Sequence, residues 1–241
     1  MGIIKPEETM LSLGTSGVIF SVSDGFTANP AVALHSFGHA IPTTWHTMSV
    51  MLSAASCVDW VTKLAQFSNV EAALLAAENR HHDSKVIFLP YLSGERTPHN
   101  DANAKGVFWG MTHETTPADL VQAVLEGVTF ALLDGLDAVR SAQSISESID
   151  VIGGGAKSTY WLQLLADVFA VPMDYREGGE VGPALGAARL AAIGVRGNSA
   201  LSEVCIKPKL IKRYMPNSDK AARYAEKRER FQGLYQRLKG F

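Results

Sequence analysis

Two glycine-rich stretches of the sequence carry residue types that bind phosphate groups. In the first, residues 150–158, an apolar run ends in Gly153, Gly154 and Gly155, and Ser158 precedes apolar residues at helical spacing. We predict a buried strand, a tight turn and a helix capped by Ser158. Because glycine has no Cβ, a ligand can approach this backbone closely, and the helix N-terminus offers unpaired N–H groups to an anion. The pattern favours a nucleotide.

Neither of the two best-known glycine-rich nucleotide motifs is present at this turn. The dinucleotide fingerprint Gly-x-Gly-x-x-Gly would need a third glycine where the chain has Ser158. A Walker A loop needs glycine directly before Lys-Ser, and here Ala156 precedes Lys157. For this stretch taken by itself, an ordinary glycine-rich connection between a strand and a helix remains the alternative.

The second stretch is a turn near the start of the sequence. Gly14, Thr15, Ser16 and Gly17 separate two short apolar runs, which predicts a β-hairpin. The N–H groups of the turn and its two hydroxyls could hydrogen-bond phosphate oxygens, as anion-binding nests do. A plain hairpin with small turn residues is the alternative and, for this fragment alone, the commoner one.

A further glycine-rich segment, residues 177–191, repeats the pattern of the first. Gly182 leads into a predicted helix with Pro183 in its first turn, and Ala184 and Gly186 keep one helix face small. Two such helix starts, separated by one α/β unit, would line a cleft from both sides, with adenosine between them. The alternative is close helix packing, which also requires small residues.

The elements around these turns are of mixed type. We predict helices and strands from apolar periodicity and capping residues. The helices are residues 53–67, 70–80, a long helix from the N-cap Thr116, and a final helix capped by Ser218 or Asp219. Further strands are residues 86–89 and 106–111 and an edge strand at 171–175, and 194–212 is a connector. The fold class is α/β, with a mixed sheet flanked by helices, and we expect one domain over residues 1–241.

Several polar residues outside the turns invite other chemistry. His35, His39 and His46 lie close together in the sequence, but no carboxylate or thiolate has matching spacing, so we predict no metal site. The loop 91–101 is rich in reactive residue types, and such loops on a rigid scaffold carry function. The alternative, which we favour, is that its Glu95 and Arg96 form a structural ion pair with the body of the domain. We expect Glu126, in the long helix, to be solvated or salt-bridged.

Charge and composition exclude some function classes. The formal net charge of −2 gives no basic footprint for nucleic acid. No apolar run reaches the roughly 18 residues of a membrane span. The two cysteines, Cys57 and Cys205, form no disulfide or zinc pattern and fit a reducing cytosol. We therefore expect a cytoplasmic protein with neither nucleic acid nor a membrane as a partner.

Taken together, the motifs resemble the C-terminal domain of the FGGY family of carbohydrate kinases, which has the actin-like ATPase (ribonuclease H-like) fold. Residues 106–126 resemble the second family signature, and 12–17 resemble the phosphate-binding hairpin. Residues 153–158 resemble the adenosine motif, and 182–187 a second adenine-side element. The loop 91–100 is spelled as in the xylulose kinases of the family rather than its glycerol kinases.

The resemblance implies ATP or ADP with Mg²⁺ as ligands, and D-xylulose, converted to D-xylulose 5-phosphate, as the sugar. The implied nucleotide-binding residues are Gly14, Thr15, Ser16, Gly17, Gly153, Gly154, Gly155, Ser158, Gly182 and Ala184. The family's general base is an Asp in a Gly-Asp-Asn-Ala-Ala-Gly stretch that does not occur in this sequence, so no catalytic residue and no metal ligand is assigned. The alternatives are another sugar or polyol kinase of the family, or a non-catalytic actin-like nucleotide-binding module.

The missing stretch implies an ATP-side half without the N-terminal sugar-binding domain. Such a half would hold nucleotide but would not position the sugar, so we expect it to be inactive alone and to need the N-terminal half as a partner. Its uncovered surface should be apolar, which makes a homodimer possible.

Overall fold

A seven-stranded mixed sheet forms the centre of the computed structural model, which describes residues 1–80, 84–179 and 182–241. The sheet strands are β1 (Thr9–Leu13), β2 (Gly17–Ser23), β3 (His35–Gly38), β4 (Trp45–Met51), β7 (Ile149–Ile152), β8 (Met173–Arg176) and β9 (Leu210–Tyr214), while β5 (Ile87–Leu89) and β6 (Val107–Trp109) form a separate hairpin. The helices are α1 (Ala55–Leu64), α2 (Val70–Glu78), α3 (Pro117–Arg140), α4 (Thr159–Phe169), α5 (Gly182–Arg196), α6 (Leu201–Val204) and α7 (Ser218–Leu238). The α/β class and the mixed sheet expected from the sequence are confirmed.

The order of strands in the sheet decides where the glycine-rich turns lie. The order is β3-β4-β2-β1-β7-β8-β9, with β1 antiparallel to β2 and parallel to β7. In the β1–β7 pair Ser12 lies opposite Ile152. Since parallel strands point the same way, their carboxyl ends meet at one edge of the sheet, and residues 14–17 and 153–158 both begin there.

Helix α3 is the long helix predicted from Thr116, and it organises the core. Thr116 and Asp119 form a reciprocal capping box with Pro117 in the first turn, as the sequence indicates. Most of the helix is buried, which a helix with apolar residues on more than one face requires. A Cβ at Gly127 would clash with the Phe88 carbonyl, so the glycine lets β5 pack directly on the helix.

Three details of the C-terminal part differ from the prediction. β8 is not an edge strand, because β9 pairs antiparallel with it and forms the edge itself. The connector 194–212 contains α6 and the first residues of β9, whose exposed residues show no buried face that periodicity could detect. The cap of α7 is Asn217, whose side chain accepts from the N–H groups of Asp219 and Lys220, rather than Ser218 or Asp219.

In the described part of the chain, the helices are all too short or too polar to cross a membrane.

Candidate functional site

A cleft of about 930 Å³ opens at the sheet edge where β1 and β7 end. Gly14 and Thr15 of the hairpin turn, together with Gly154 and Gly155 of the turn after β7, contribute backbone to it. Helices α1, α2 and the first turn of α4 supply the remaining described walls. Their lining residues are Ala55, Val58, Asp59, Val70, Glu71, Leu74, Leu75, Glu78, Lys157, Ser158, Thr159, Tyr160 and Trp161.

The carbonyl groups of the hairpin turn are held by the start of α1. Ala54 N–H donates to Thr15 O at 2.9 Å, and Ala55 N–H donates to Gly14 O at 2.9 Å. Ser56 Oγ donates to Thr15 O at 2.8 Å. These bonds satisfy the first N–H groups of α1, whose N-cap Ala54 has no side chain that could do so. The turn is thereby fixed with its carbonyls towards the helix.

The opposite side of the hairpin turn remains available to a ligand. Thr15 is exposed and Ser16 is half-buried. Among the residues that the structure describes, none accepts a hydrogen bond from the N–H of Thr15 or Ser16. Two N–H groups and two hydroxyls in succession form a donor surface that suits phosphate oxygens.

The turn after β7 approaches the hairpin because Gly153 has no side chain. Its φ is +95° with ψ 178°, a region that is essentially restricted to glycine. A Cβ at Gly153 would lie 2.7 Å from Leu13 O, and one at Gly155 would lie 2.6 Å from Leu13 Cδ2. The two turns are therefore packed against each other, and both glycines are required for that contact.

Gly154, between these two, lies at the surface of the turn. It is exposed, and a Cβ built there meets no atom within 4 Å. Within the described ranges, no protein atom accepts a hydrogen bond from the N–H groups of Gly154 and Gly155. The backbone of this turn thus adds two further donors at the cleft.

Ser158 caps α4 as the sequence predicts, since its Oγ accepts from Trp161 N–H at 3.2 Å. The partial positive charge of the α4 N-terminus is directed to the cleft, and the exposed Lys157 adds a full charge nearby. Buried Trp161 donates through Nε1 to Thr129 Oγ1 at 3.0 Å, which ties α4 to α3. The N-terminal end of α4 therefore has a fixed place in the cleft wall.

Tyr160 lies at the rim of the cleft and is not set up for acid–base chemistry. Its hydroxyl donates to Gln122 Oε1 at 2.6 Å. Burial raises its pKa to about 12, with smaller opposing effects from neighbours including Arg80. At neutral pH the side chain is a neutral phenol that is already hydrogen-bonded, so it contributes to the site as part of the cleft wall.

Five of the ten expected site residues line the cleft: Gly14, Thr15, Gly154, Gly155 and Ser158. Ser16 and Gly153 adjoin it within the same turns. Gly17 is buried, and a Cβ there would lie 2.6 Å from Leu132 Cδ2, so its small size serves packing on α3.

The two expected residues of α5, Gly182 and Ala184, are not among the described lining residues. Gly182 begins the helix and Ala184 is exposed in its first turn. The preceding residues 180–181 lie outside the described ranges. One contact does join the two glycine-rich segments, because Gly153 N–H donates to Gly179 O at 3.1 Å.

Sequence reasoning missed the wall that α1 and α2 supply. Val58, Val70, Leu74 and Leu75 give this wall an apolar surface, and Leu75 is 56% exposed. The only signal in the sequence was an alanine- and leucine-rich helix with apolar residues beyond one face. Such a helix is equally typical of simple core packing, so the tertiary arrangement was needed to recognise the wall.

The histidines and Glu126, the other polar residues considered from the sequence, contact neighbouring side chains of the fold. His46 stacks on Phe20 with ring centroids 4.4 Å apart, and burial lowers the pKa of both His46 and His39. In the part of the chain that the structure describes, no three His, Cys, Asp or Glu side chains are grouped to hold a metal ion. Glu126 is salt-bridged to Lys227, which confirms one of the two expectations for it.

Glu95 does not form the expected ion pair in the described structure. It is 2% exposed, and its Oε1 accepts hydrogen bonds from the backbone N–H groups of Leu52 and Arg96. Arg96 is exposed and contacts Glu95 through its backbone. Backbone N–H groups can satisfy a buried carboxyl oxygen without a cation, a possibility that sequence spacing does not reveal.

Comparison with known proteins identifies the family. The model of the FGGY family of carbohydrate kinases, C-terminal domain, matches residues 9–195. The chain belongs to this family. It is similar to the xylulose kinase of Escherichia coli strain K12, with 52% identity over 239 residues that cover 99% of this chain and 49% of that protein. The chain thus spans about half the length of the curated relatives it matches.

Solved structures agree with the family and the fold. The chain superimposes on a xyloylose kinase from Brucella ovis with a TM-score of 0.92 at 41% identity, covering 99% of this chain and 49% of that one. A ligand-bound xylulose kinase from Lactobacillus acidophilus gives a TM-score of 0.88 at 29% identity with the same coverage. The actin-like ATPase fold implied by the resemblance is confirmed.

Proposed function

We propose that this chain is the nucleotide-binding half of an ATP-dependent sugar kinase. The observation that carries the proposal is the meeting of two donor-rich turns at one cleft. The parallel strands β1 and β7 end side by side, so the N–H groups of residues 15–16 and 154–155 adjoin the same space. Backbone donors and a helix N-terminus are a recurrent way of binding phosphate groups.

The distribution of polarity in the cleft supports one direction for the nucleotide. The donors of the turns and the N-terminus of α4 suit the phosphates, with the hydroxyls of Thr15 and Ser16 beside them. The apolar surface of Val58, Val70 and Leu74 suits a planar base. In this proposal the phosphates lie over the hairpin turn and the adenosine lies between α2 and the first turn of α4.

Three carboxylates of the lining reinforce this direction. Asp59, Glu71 and Glu78 all belong to α1 and α2, on the base side. They would repel phosphate groups there, and they can accept hydrogen bonds from ribose hydroxyls or an amino group. Lys157 is the cation of the described lining and belongs to the turn next to the phosphates.

Magnesium fits this site as a partner of the nucleotide rather than of a dedicated protein cage. Mg²⁺ in kinases is held largely by phosphate oxygens and water with few protein ligands. The aliphatic hydroxyl groups of the described lining belong to Thr15, Ser158 and Thr159. Ser158 Oγ already caps α4, and Thr15 belongs to the hairpin turn, so Thr15 is the residue we propose beside the ion. The ion would neutralise charge that develops on the phosphates.

The proposed reaction is ATP + D-xylulose → ADP + D-xylulose 5-phosphate. A sugar hydroxyl oxygen forms a bond to the γ-phosphorus, the bond from that phosphorus to the β–γ bridging oxygen breaks, and the hydroxyl proton leaves to a base. The residues of this chain bind and orient the phosphates. In this proposal the base and most sugar contacts belong to the N-terminal half, so the chain alone is inactive. The support for xylulose is that the relatives and several structural neighbours are xylulose kinases.

The test is reconstitution of ATP consumption with D-xylulose. The chain is assayed alone and after mixing with the separately expressed N-terminal half of the Escherichia coli relative. A control chain carries Gly154→Val, because a Cβ at Gly154 meets no protein atom within 4 Å. We expect activity only when the unmodified chain is mixed with the N-terminal half. Turnover by the chain alone, or equal turnover with Gly154→Val, would contradict the proposal.

A further inference from the structure

The function proposed above assigns no role to the loop 91–101, although this loop is rich in reactive residue types. The structure ties it to the end of β4. Thr97 N–H donates to Val50 O at 3.0 Å, and Val50 N–H donates to Thr97 Oγ1 at 3.1 Å. Two residues further along the chain, Leu52 N–H donates to Glu95 Oε1 at 3.0 Å.

Glu95 makes the most unusual of these ties, because it is a buried acidic side chain whose bonds go to backbone. Its Oε1 accepts from Arg96 N–H at 2.7 Å in addition to Leu52 N–H. Its Oε2 is also buried and has no hydrogen-bond partner among the described residues. Burying a carboxyl group in this way costs free energy, and here its bonds are used to fix the backbone at Leu52.

The backbone fixed at Leu52 leads directly to the hairpin turn. Residues 52–54 join β4 to α1 and belong to neither element. Glu95 holds the first residue of this junction. The last residue, Ala54, donates its N–H to Thr15 O at 2.9 Å, and Ala55 donates to Gly14 O at 2.9 Å. The side chain of Glu95 and the turn are thus linked through three residues of backbone.

We propose that Glu95 is a positioning residue for the phosphate turn. By holding the junction 52–54, it positions the N–H groups of Ala54 and Ala55. These N–H groups donate hydrogen bonds to the carbonyls of Thr15 and Gly14. The donor side of the turn is thereby aimed at the phosphates. The inference rests on the proposed nucleotide site and assigns to it a residue that does not line the cleft.

The position of Glu95 predicts an effect on phosphates rather than on the base. Apart from Val58 and Asp59 of α1, the surfaces that we assign to adenosine belong to α2 and α4, and these are held by other contacts, such as the Trp161–Thr129 hydrogen bond. Loss of the Glu95 bonds should therefore weaken a ligand that carries phosphates more than one that has none. A general loosening of the domain would weaken both equally.

Calorimetric titrations with MgADP and with adenosine, to millimolar concentrations, test the proposal. For Glu95→Gln, whose amide oxygen can accept the same two N–H groups, we expect both affinities to stay within about twofold. For Glu95→Ala we expect MgADP to bind about tenfold more weakly, the size expected for one lost buried hydrogen bond, with adenosine unchanged. Thermal unfolding is recorded for each variant.

Thr97→Val is the matched control, because it removes the hydrogen bond from Val50 N–H to Thr97 Oγ1, the other side-chain tie between the same loop and β4. The backbone bond from Thr97 N–H to Val50 O is kept. We expect Thr97→Val to leave MgADP binding near the wild-type value. If Thr97→Val and Glu95→Ala lower the affinity for MgADP equally, the proposal is overturned. This comparison holds even if adenosine binds too weakly to be measured. If Glu95→Ala does not fold, Glu95→Asp, which is one methylene shorter, replaces it with the same expectation.

Two further outcomes separate this inference from the proposed function. A wild-type chain that binds MgADP while Glu95→Ala binds it equally well would overturn the role of Glu95 and leave the nucleotide site standing. A wild-type chain that binds neither ligand would refute the nucleotide site, and the role of Glu95 would fall with it.

Discussion

Replacing either Gly153 or Gly154 by alanine should have very different consequences for stability, although the two residues are adjacent. Gly153→Ala puts a Cβ at a φ of +95°, which costs about 1–3 kcal/mol for a residue other than glycine. That Cβ would also lie 2.7 Å from Leu13 O and 2.9 Å from Leu13 C, both backbone atoms. Moving a packed strand to relieve such a contact costs a further ~1–3 kcal/mol.

The sum for Gly153→Ala is about 2–6 kcal/mol, a large part of the roughly 5–15 kcal/mol that stabilises a typical domain. Gly154→Ala meets no atom within 4 Å, so we expect a change in the free energy of unfolding within about 0.5 kcal/mol. Urea unfolding of the two variants and the wild type measures both values. A Gly153→Ala variant within about 1 kcal/mol of wild type would refute the argument that the two turns need this glycine for their contact.

Three further predictions concern ionisation, a buried ion pair and association. Burial raises the pKa of Glu95 from 4.5 to about 7, so the free energy of unfolding falls as the pH rises from 4.5 to 7 and the side chain ionises. At pH 8 the free energy of unfolding of Glu95→Gln should therefore exceed that of the wild type by at most about 3 kcal/mol, and at pH 4 the two values should be equal. Equal stability at pH 8 would contradict this. Lys227→Met leaves buried Glu126 without its cation and should cost about 3 kcal/mol in urea unfolding, most of which Glu126→Gln should restore in the double variant. Val195 and Ile206 are 89% and 61% exposed, so we expect the chain alone to self-associate with concentration in light scattering, and a monomer at all concentrations would argue against this.

The sequence predicted the two turns because their signals are local. Glycines after an apolar run, and a serine before helical periodicity, determine a turn and a cap irrespective of the rest of the chain. Ser158 accordingly caps α4, and Gly153 has the positive φ that only glycine tolerates readily. The strand pairing of β1 with β7, which brings the turns together, joins segments far apart in sequence and had no local signal.

The parts of the site that were missed depend on tertiary contacts. Gly17 has the same residue type as Gly14 in the turn but packs on Leu132, which belongs to a helix more than a hundred residues away. Glu95 looked like half of an ion pair, and only the fold brings it to the N–H of Leu52. The apolar wall of α1 and α2 has the composition of any packed helix pair, so its exposure to a cleft could not be read from spacing.

The most direct test of the central claim is a calorimetric titration of MgADP into the wild-type chain, Gly154→Val and Gly194→Val. Gly194 is an exposed residue of α5 where a Cβ also meets no atom within 4 Å, so it controls for the substitution itself. We expect one-to-one binding to the wild type and Gly194→Val, and binding at least about tenfold weaker to Gly154→Val, where the side chain occupies the cleft. Equal affinity for all three chains, or no binding to the wild type, would contradict it.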